Sequence, residues 1–339
     1  MNALLTFLTL NQERLNLRQF GSLNDFTTLV ATPRFKASGH LVFFVLKRGE
    51  PRPVIIAKVP RVACDHHRLD REARNLQDIQ RLRPNGFDTI PRLIAYEEYG
   101  GYRFLIETAV PGNIMRPAHV RRKFESSLRA GYEWLSVIHR LSSQRRPCVP
   151  IDSARLIDEP LFYLERLLTT SNNRDVLAKT RLLFDGVDWS GLPAIFEHGD
   201  FSSPNLLIEK SRLGVVDWEL ADPFGLPMTD FFFLLTYLAF AKQGARNNPT
   251  YLRAFHDAFF DNVGWARPYG HDFAEKVGVD PCYLVPLFVT CWMRYVSGLV
   301  QRLDAEENGI SDDVLHWLQT NRYYLLWRHT IANLDLLHF

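Results

Sequence analysis

The chain of 339 residues carries 40 basic and 38 acidic side chains, so its formal net charge at pH 7 is only +2, and 46% of its residues are hydrophobic. A charge this small, without a stripe of basic and aromatic residues, argues against a nucleic-acid-binding protein, and we predict no nucleic-acid partner. The length exceeds the usual size of a single core and predicts two lobes.

The N-terminus and the cysteines predict a cytoplasmic protein. Met1–Leu10 is apolar in places but lacks the basic leader and cleavage pattern of a signal peptide, so we predict a first helix. The four cysteines contain no Cys-x-x-Cys pair and indicate neither a zinc site nor a disulfide framework. They are Cys64, Cys148, Cys282 and Cys291.

Apolar runs rich in β-branched and aromatic residues predict strands in the N-terminal part. Thr27–Val30 and Leu41–Leu46 flank the segment Phe35–His40, which we predict to be a hairpin loop. This loop contains a single glycine, Gly39, so its backbone has little of the conformational freedom that several glycines would provide.

One lysine interrupts the next predicted strand, Pro53–Pro60. A buried ammonium is costly unless it meets an anion, so Lys58 requires a carboxylate partner. The periodic segment Arg68–Leu82 is a predicted helix, and Glu72 lies on its inward, apolar face. Glu72 is therefore the predicted partner of Lys58. The alternative is that Lys58 snorkels to the surface and that Glu72 lies on a solvated face.

The boundary between the lobes is predicted after the apolar strand Tyr102–Glu107. This strand stops at Thr108–Gly112, where proline and glycine mark a linker. We assign residues 1–109 to the N-terminal lobe and residues 110–339 to the C-terminal lobe. The first lobe is rich in strands around one helix and the second is mainly helical, which predicts the α+β class.

A motif in the second lobe combines a polar loop with a short hairpin. His198-Gly199-Asp200 is followed, after four residues, by Asn205. Two apolar runs then flank a turn with Gly214 and predict a hairpin, whose open end brings Asn205 and Asp217 together. Taken alone, His-Gly-Asp is an ordinary turn, and the added hairpin and aspartate make the pattern specific.

These residue types suit phosphoryl transfer from a nucleotide. An amide carbonyl from Asn205 and a carboxylate from Asp217 are hard oxygen ligands of the kind that Mg²⁺ prefers. A carboxylate such as Asp200 is suited to orient the attacking hydroxyl, since the protein does little covalent work in this chemistry.

The pattern resembles that of the aminoglycoside phosphotransferase and choline kinase group, whose fold is like that of protein kinases. The resemblance implies that Asp200 is the catalytic base and that His198 braces the loop. It also implies that Asn205 and Asp217, the latter in an Asp-Trp-Glu setting, hold the metal. One departure is Ser203-Pro204, since the group often has Pro-Gly immediately before the asparagine.

The resemblance extends to the predicted N-terminal lobe. It implies that Lys58, aimed by Glu72, binds the nucleotide phosphates. It also implies that the loop with Ser38 and Gly39 covers those phosphates. The linker backbone would bond the adenine edge, for which the Glu107 carbonyl and the Ala109 amide are the candidates.

The implied fold is a small antiparallel-sheet lobe with one main helix and a larger, mostly helical lobe. The implied activity is ATP- and Mg²⁺-dependent transfer of the γ-phosphate to an alcohol group of a small molecule, such as a sugar, an amino alcohol or an aminoglycoside-like compound. A catalytically inactive nucleotide-binding scaffold is an alternative suggested by the glycine-poor loop. A protein kinase is disfavoured because Asp217–Asp230 is too short for a recognisable activation segment.

Two apolar segments of the second lobe, Phe231–Ala241 and Leu284–Trp292, are shorter than the roughly twenty residues that span a bilayer, so we predict buried helices and no membrane insertion. Asp230 precedes the first of them as an N-cap, as the group's structural aspartate beneath the catalytic loop, or as both. The later aromatic residues have two possible roles, recognition of the acceptor or packing in the core. These are Trp265, Tyr269, Trp292, Tyr295, Trp317, Tyr323, Tyr324 and Trp327.

Acidic residues late in the chain bear on the acceptor. If they line the cleft, an aminated sugar is favoured, whereas an aromatic cage would favour a choline-like cation. A solvated acidic loop is the alternative. These residues are Asp304, Glu306, Glu307, Asp312 and Asp313.

Overall fold

The structure, a computed structural model, describes residues 3–32, 39–62, 65–145, 149–303 and 312–339. The helices of these residues are α1 (Ala3–Leu10), α2 (His67–Arg81), α3 (Pro117–Arg122), α4 (Phe124–Arg145), α5 (Glu159–Leu167), α6 (Ser171–Asp185), α7 (Thr229–Gln243), α8 (Asn248–Phe259), α9 (Ala266–Val277), α10 (Leu284–Leu303), α11 (Asp312–Thr320) and α12 (Arg322–Ala332). The strands are β1 (Phe26–Ala31), β2 (His40–Lys47), β3 (Pro53–Pro60), β4 (Leu93–Tyr99), β5 (Tyr102–Thr108), β6 (Asn113–Ile114), β7 (Ile195–Glu197), β8 (Leu206–Glu209), β9 (Arg212–Val215) and β10 (Asp222–Gly225).

The chain forms two compact units. The N-terminal unit comprises Met1–Ile114 together with Asn205–Ala221, and the helical unit comprises Met115–Pro204 together with Asp222–Phe339. The predicted hairpin therefore belongs to the same unit as β1 to β5. The lobe boundary at residues 109 and 110 stays a prediction.

The N-terminal unit is built on a five-stranded antiparallel sheet in the order β1-β2-β3-β5-β4. Alternate residues of the central strand β3 point to opposite faces. Ile55 and Ala57 lie in the apolar core with Leu4 and Phe7 of α1. Lys58 points to the other face, toward α2. The strand thus buries apolar residues on one side and presents a single ammonium on the other.

The helical unit is organised around α7, which has no polar face. All residues of α7 from Thr229 to Ala241 are buried, because neighbouring helices surround it. Gly131 of α4 permits a close approach, since a Cβ atom at that position would lie 2.3 Å from Leu234 Cδ2 of α7. The prediction of a buried helix at Phe231–Ala241 is confirmed.

The second predicted buried segment is part of a longer helix than the sequence suggested. By length and composition, Pro281–Leu303 is the one stretch of the described chain able to cross a membrane, and 72% of its apolar window is buried inside the protein. Such burial is typical of a core helix, which is what we predicted for Leu284–Trp292.

Candidate active site

The predicted catalytic loop follows β7 in the helical unit, and a buried carboxylate holds its backbone. Asp230 accepts hydrogen bonds from the amide of His198 at 2.7 Å and of Gly199 at 2.9 Å. Gly199 has a φ of 81°, a conformation that favours glycine. The N-cap of α7 is Met228, so the capping interpretation of Asp230 is wrong and its loop-holding interpretation is confirmed.

The loop also fixes the carboxylate of Asp200. The Ser202 hydroxyl donates to Asp200 Oδ1 at 3.1 Å, and the Asp200 amide donates to His198 Nδ1 at 3.3 Å. His198 is buried. It thus contacts the loop from the interior of the protein, which agrees with the bracing role that the resemblance implied for this histidine.

A buried ion pair supports β7 from α10. Glu197 accepts from Arg294 Nη1 at 2.6 and 2.8 Å, and its Oε2 also accepts from the Leu226 amide at 2.9 Å. These contacts connect the residue before the catalytic loop to α10 and to the end of β10. These contacts are not evident from the sequence, because Arg294 lies almost a hundred residues from Glu197 and belongs to an apolar helix.

In the N-terminal unit, Lys58 lies between two carboxylates. Its Nζ is 2.5 Å from Glu72 Oε1 and 3.0 Å from Asp217 Oδ1. Burial lowers the pKa of Lys58, but the charges of Asp217, Glu72 and Glu107 outweigh burial and raise it well above its ordinary value. The ammonium therefore stays charged. The predicted pairing of Lys58 with Glu72 is present in the structure.

The hairpin β8–β9 places the two predicted metal ligands side by side. Leu206 pairs with Val215, and beyond them the Val216 amide donates to the Asn205 carbonyl at 3.0 Å. Asp217 follows with a φ of 69°, the left-handed region that aspartate enters more readily than most residues. Asn205 and Asp217 thus meet at the open end of the hairpin.

The segment after Asp217 is tied to α2. The Trp218 amide donates to Glu72 Oε1 at 3.1 Å, so Glu72 bonds to Lys58 and to this segment through the same oxygen. Asn75, one turn further along α2, donates to the carbonyls of Trp218 and Ala221, each at 2.9 Å. The helix therefore sets the position of Asp217 relative to Lys58.

The side chains around Asp217 suit a divalent cation. Ligand atoms of His40, Asp217 and Glu219 lie within 4.8 Å of one another. Among the described residues, buried Glu219 Oε2 has no hydrogen-bond partner, and burial raises the pKa of this carboxyl to about 7. Together with Asn205, these residues form an oxygen-rich set that fits Mg²⁺. Neither Glu219 nor His40 was among the metal ligands predicted from the sequence, and His40 is the first residue of a largely apolar strand.

The predicted nucleotide-binding residues lie in different environments. Ser38 is outside the described residues, whereas Gly39 extends the sheet by accepting the Arg61 amide at 2.8 Å. Glu107 lies in the paired strand β5, and its own side chain is buried. The Ala109 amide donates to the Val54 carbonyl at 3.1 Å. Assignment of Glu107 and Ala109 to the adenine edge stays a prediction.

The structure therefore brings Lys58, Glu72, Asn205 and Asp217 together in the N-terminal unit, and it places Asp200 in the helical unit. Their catalytic and binding roles stay predictions. Of the late acidic residues, Asp313 is exposed. Asp304, Glu306 and Glu307 lie outside the described residues, as do Cys64 and Cys148.

Solved structures share the fold at low sequence identity. Aminoglycoside 2'-phosphotransferase-IIIa, in its GDP complex, has a TM-score of 0.58 at 15% identity over 98% of this chain and 99% of its own. A thermostable mutant of aminoglycoside phosphotransferase APH(4)-Ia, in ternary complex with AMP-PNP and hygromycin B, has a TM-score of 0.56 at 15% identity. The match covers 94% of this chain and 98% of that one. Choline kinase from Cryptosporidium parvum Iowa II has a TM-score of 0.54 at 12% identity, and the match covers 97% of this chain and 96% of that one.

These likenesses confirm the predicted α+β, protein-kinase-like fold. No curated protein sequence matched the chain. The family model described as the phosphotransferase enzyme family matches residues 37–271, which is more than half of the chain. The chain therefore belongs to the phosphotransferase enzyme family, as its resemblance to aminoglycoside phosphotransferases and choline kinases predicted.

Proposed function

We propose that this phosphotransferase transfers the γ-phosphate of ATP to a hydroxyl group of a small molecule. Asp200 receives the hydroxyl proton, and Asn205 and Asp217 hold Mg²⁺. Lys58, positioned by Glu72, binds the nucleotide phosphates. Sugars, amino alcohols and aminoglycoside-like compounds are the acceptor classes to test.

The observation that carries the proposal is the position of Lys58 between Glu72 and Asp217, at 2.5 and 3.0 Å. For folding alone, one carboxylate would be enough to neutralise a buried, charged lysine. The second carboxylate beside Lys58 therefore needs another explanation. A bound nucleotide with its cation would explain both charges, since the ammonium would bind phosphate oxygens and Asp217 would hold the metal.

The residues of this chain have separate tasks in the transfer. Glu72 keeps Lys58 extended, and the bond from Val216 to Asn205 holds the two metal ligands together. Asp230 and Ser202 fix the loop so that Asp200 keeps one orientation. When bound, Mg²⁺ would neutralise the charge of the phosphates.

The test is ADP formation from Mg-ATP with a panel of aminoglycosides, sugars, amino alcohols and peptides. We expect a non-peptide hydroxyl compound to stimulate turnover, and Asp200→Ala to lower kcat by at least about 100-fold, the usual contribution of a general base. The Asp175→Ala variant, which removes an exposed carboxylate on α6, is the control and should retain wild-type kcat.

Two outcomes would contradict the proposal. If ATP binds but no acceptor stimulates ADP formation, the inactive scaffold is the correct description. If only peptides are phosphorylated, the chain acts on proteins and not on small molecules.

A further inference from the structure

A cavity of about 190 Å³ lies inside the helical unit, next to the loop that carries Asp200. Ser202 and Ser203 of that loop line it on one side, and residues of α7, α8 and α12 line the others. Its volume is below the ~300–1,000 Å³ of pockets for drug-sized ligands. The cavity therefore suits a small molecule or one terminal ring of a larger one.

The cavity wall contains an arginine, Arg322. Among the described residues, the lining contains Arg322 but no carboxylate, and its other polar side chains are hydroxyls of serine, threonine and tyrosine. Arg322 also has no salt bridge to any residue in the described part of the chain. The wall thus presents a net positive charge.

Two tyrosines hold the guanidinium of Arg322 in place. Its Cζ lies 4.7 Å from the ring centre of Tyr323 and 5.3 Å from that of Tyr251, and Nη2 donates to the Tyr323 hydroxyl at 3.0 Å. A guanidinium has five N–H donors, so this single bond leaves most of them for a ligand. The planar, pre-oriented group suits the two oxygens of a carboxylate or phosphate.

Two further features of the wall favour an anionic or oxygen-rich ligand. Arg322 is the first residue of α12, whose N-cap Asn321 accepts from the Tyr323 amide at 2.9 Å, and a helix N-terminus attracts negative charge. On α7, buried Thr236 Oγ1 has no hydrogen-bond partner in the part of the chain that the structure describes. A polar group of a bound ligand would supply that partner.

The cavity is connected to the proposed base within the same unit. Ser202 lines the cavity and donates to Asp200 Oδ1. Burial and then the charge of Asp200 raise the pKa of Tyr295, whose ring centre lies 4.4 Å from that of Tyr323. A molecule held at Arg322 is thus adjacent to the loop that would accept its hydroxyl proton.

We propose that this cavity binds the acceptor and that Arg322 selects an acceptor carrying an anionic group, either a carboxylate or a phosphate monoester, besides its reacting hydroxyl. The inference rests on the proposed function, which it narrows. The acceptor oxygen bonds to the γ-phosphorus of ATP as the bond to the β,γ-bridging oxygen breaks. ADP leaves with that electron pair, and the hydroxyl proton passes to Asp200.

The test uses acceptors that share a skeleton and differ in charge. One series is glycolate, ethylene glycol and ethanolamine, and the other is gluconate, glucose 6-phosphate, glucose and glucosamine. ADP formation gives KM and kcat for each compound. Binding is measured separately, as the change in Tm that each compound produces in the presence of Mg-ADP, so charge preference is tested even without turnover.

We expect the anionic members to have a KM at least tenfold below that of their neutral analogues and to raise Tm, while the cationic members do neither. Arg322→Gln should remove this preference, whereas Arg322→Lys should retain part of it. Arg328→Gln is the control, because Arg328 lies on the same helix over the ring of Tyr324, away from the cavity wall.

The ratio of carboxylate to phosphate binding identifies which anion the site prefers. A preference for cationic or neutral acceptors would overturn the inference, as would an equal effect of Arg322→Gln on all charge classes. Absence of any anion-dependent change in KM and Tm would overturn it too. Failure of the proposed function is a different result, namely no ATP-dependent turnover with any hydroxyl compound.

Discussion

The buried ammonium of Lys58 faces more negative charge than it can neutralise. Glu72 and Asp217 both bond to it directly. Within this group Glu72 is fully buried, so its charge depends on Lys58 for compensation. Loss of the ammonium would leave an unpaired carboxylate in the interior.

Lys58→Met should therefore lower the free energy of unfolding by about 3–5 kcal/mol, the usual effect of breaking a buried ion pair. The double variant Lys58→Met/Glu72→Leu should be more stable than the single variant, because it no longer buries an unpaired Glu72 charge. Urea unfolding at pH 7 measures both. Arg14→Met, which breaks the exposed pair with Glu97, is the control and should change stability far less.

An unchanged urea midpoint in Lys58→Met would contradict this account. So would a double variant less stable than the single one. Either result would mean that Glu72 is protonated in the folded protein and does not need the ammonium.

Single residues of the site differed in how well the sequence predicted them. Lys58 was predictable because a charge inside an apolar strand is anomalous, and Glu72 because helical spacing turns it inward. Arg322 and Arg294 gave no such signal, since each contacts residues that are distant in sequence. Their positions depend on how α10 and α12 pack, which local periodicity does not determine.

At the scale of elements, segments with a clear apolar pattern, either periodic or continuous, were predicted, and segments without one were not. Strands β2, β3 and β5 and helices α2 and α7 lie within a residue or two of their predicted limits. Strand β4 was missed because Leu93–Tyr99 mixes glutamates and tyrosines with few apolar residues. Strand β7 spans only three residues, too few for a pattern to be recognised.

The packing of α4 on α7 makes a prediction about two glycines inside helices. Gly131→Ala should be destabilising by about 1–3 kcal/mol, because its Cβ would overlap Leu234, which fully buried neighbours confine. Gly298→Ala on α10 is the matched control, since the nearest atom to its Cβ would be Arg302 Nη1 at 3.6 Å. It should be stabilising by about 0.5–1 kcal/mol through helix propensity.

Urea unfolding of the two variants side by side measures this difference. Equal changes in both would show that Leu234 moves aside without loss. In that case the close approach of α4 and α7 contributes little to stability.

At the scale of the whole molecule, buried acids make stability depend on pH. Burial raises the pKa of Glu107 in the N-terminal unit and of Asp230 in the helical unit to about 8 each. Such a carboxyl keeps its proton in the folded chain after the unfolded chain has lost it. Its contribution to stability is therefore complete below about pH 4 and is lost as the pH rises toward 8.

Glu107→Gln isolates one of these groups, because the amide has no proton to lose. We expect the decrease in free energy of unfolding between pH 5 and 8.5 to be smaller in this variant by at least about 1.4 kcal/mol, the equivalent of one pKa unit. Urea unfolding across this range is the measurement. Glu97→Gln is the control, since the bond from Arg14 lowers the pKa of Glu97. An unchanged pH dependence in Glu107→Gln would contradict the prediction.

The N-terminal unit is built from two separate stretches of the chain, and this limits which recombination events preserve it. Residues 1–114 hold Lys58 and Glu72, but the hairpin with Asn205 and Asp217 is encoded separately, within the sequence of the helical unit. A recombination event that exchanged only the first third of the gene would pair one parent's Lys58 with the other parent's Asn205 and Asp217. The N-terminal unit can be inherited intact only when both stretches are transmitted together.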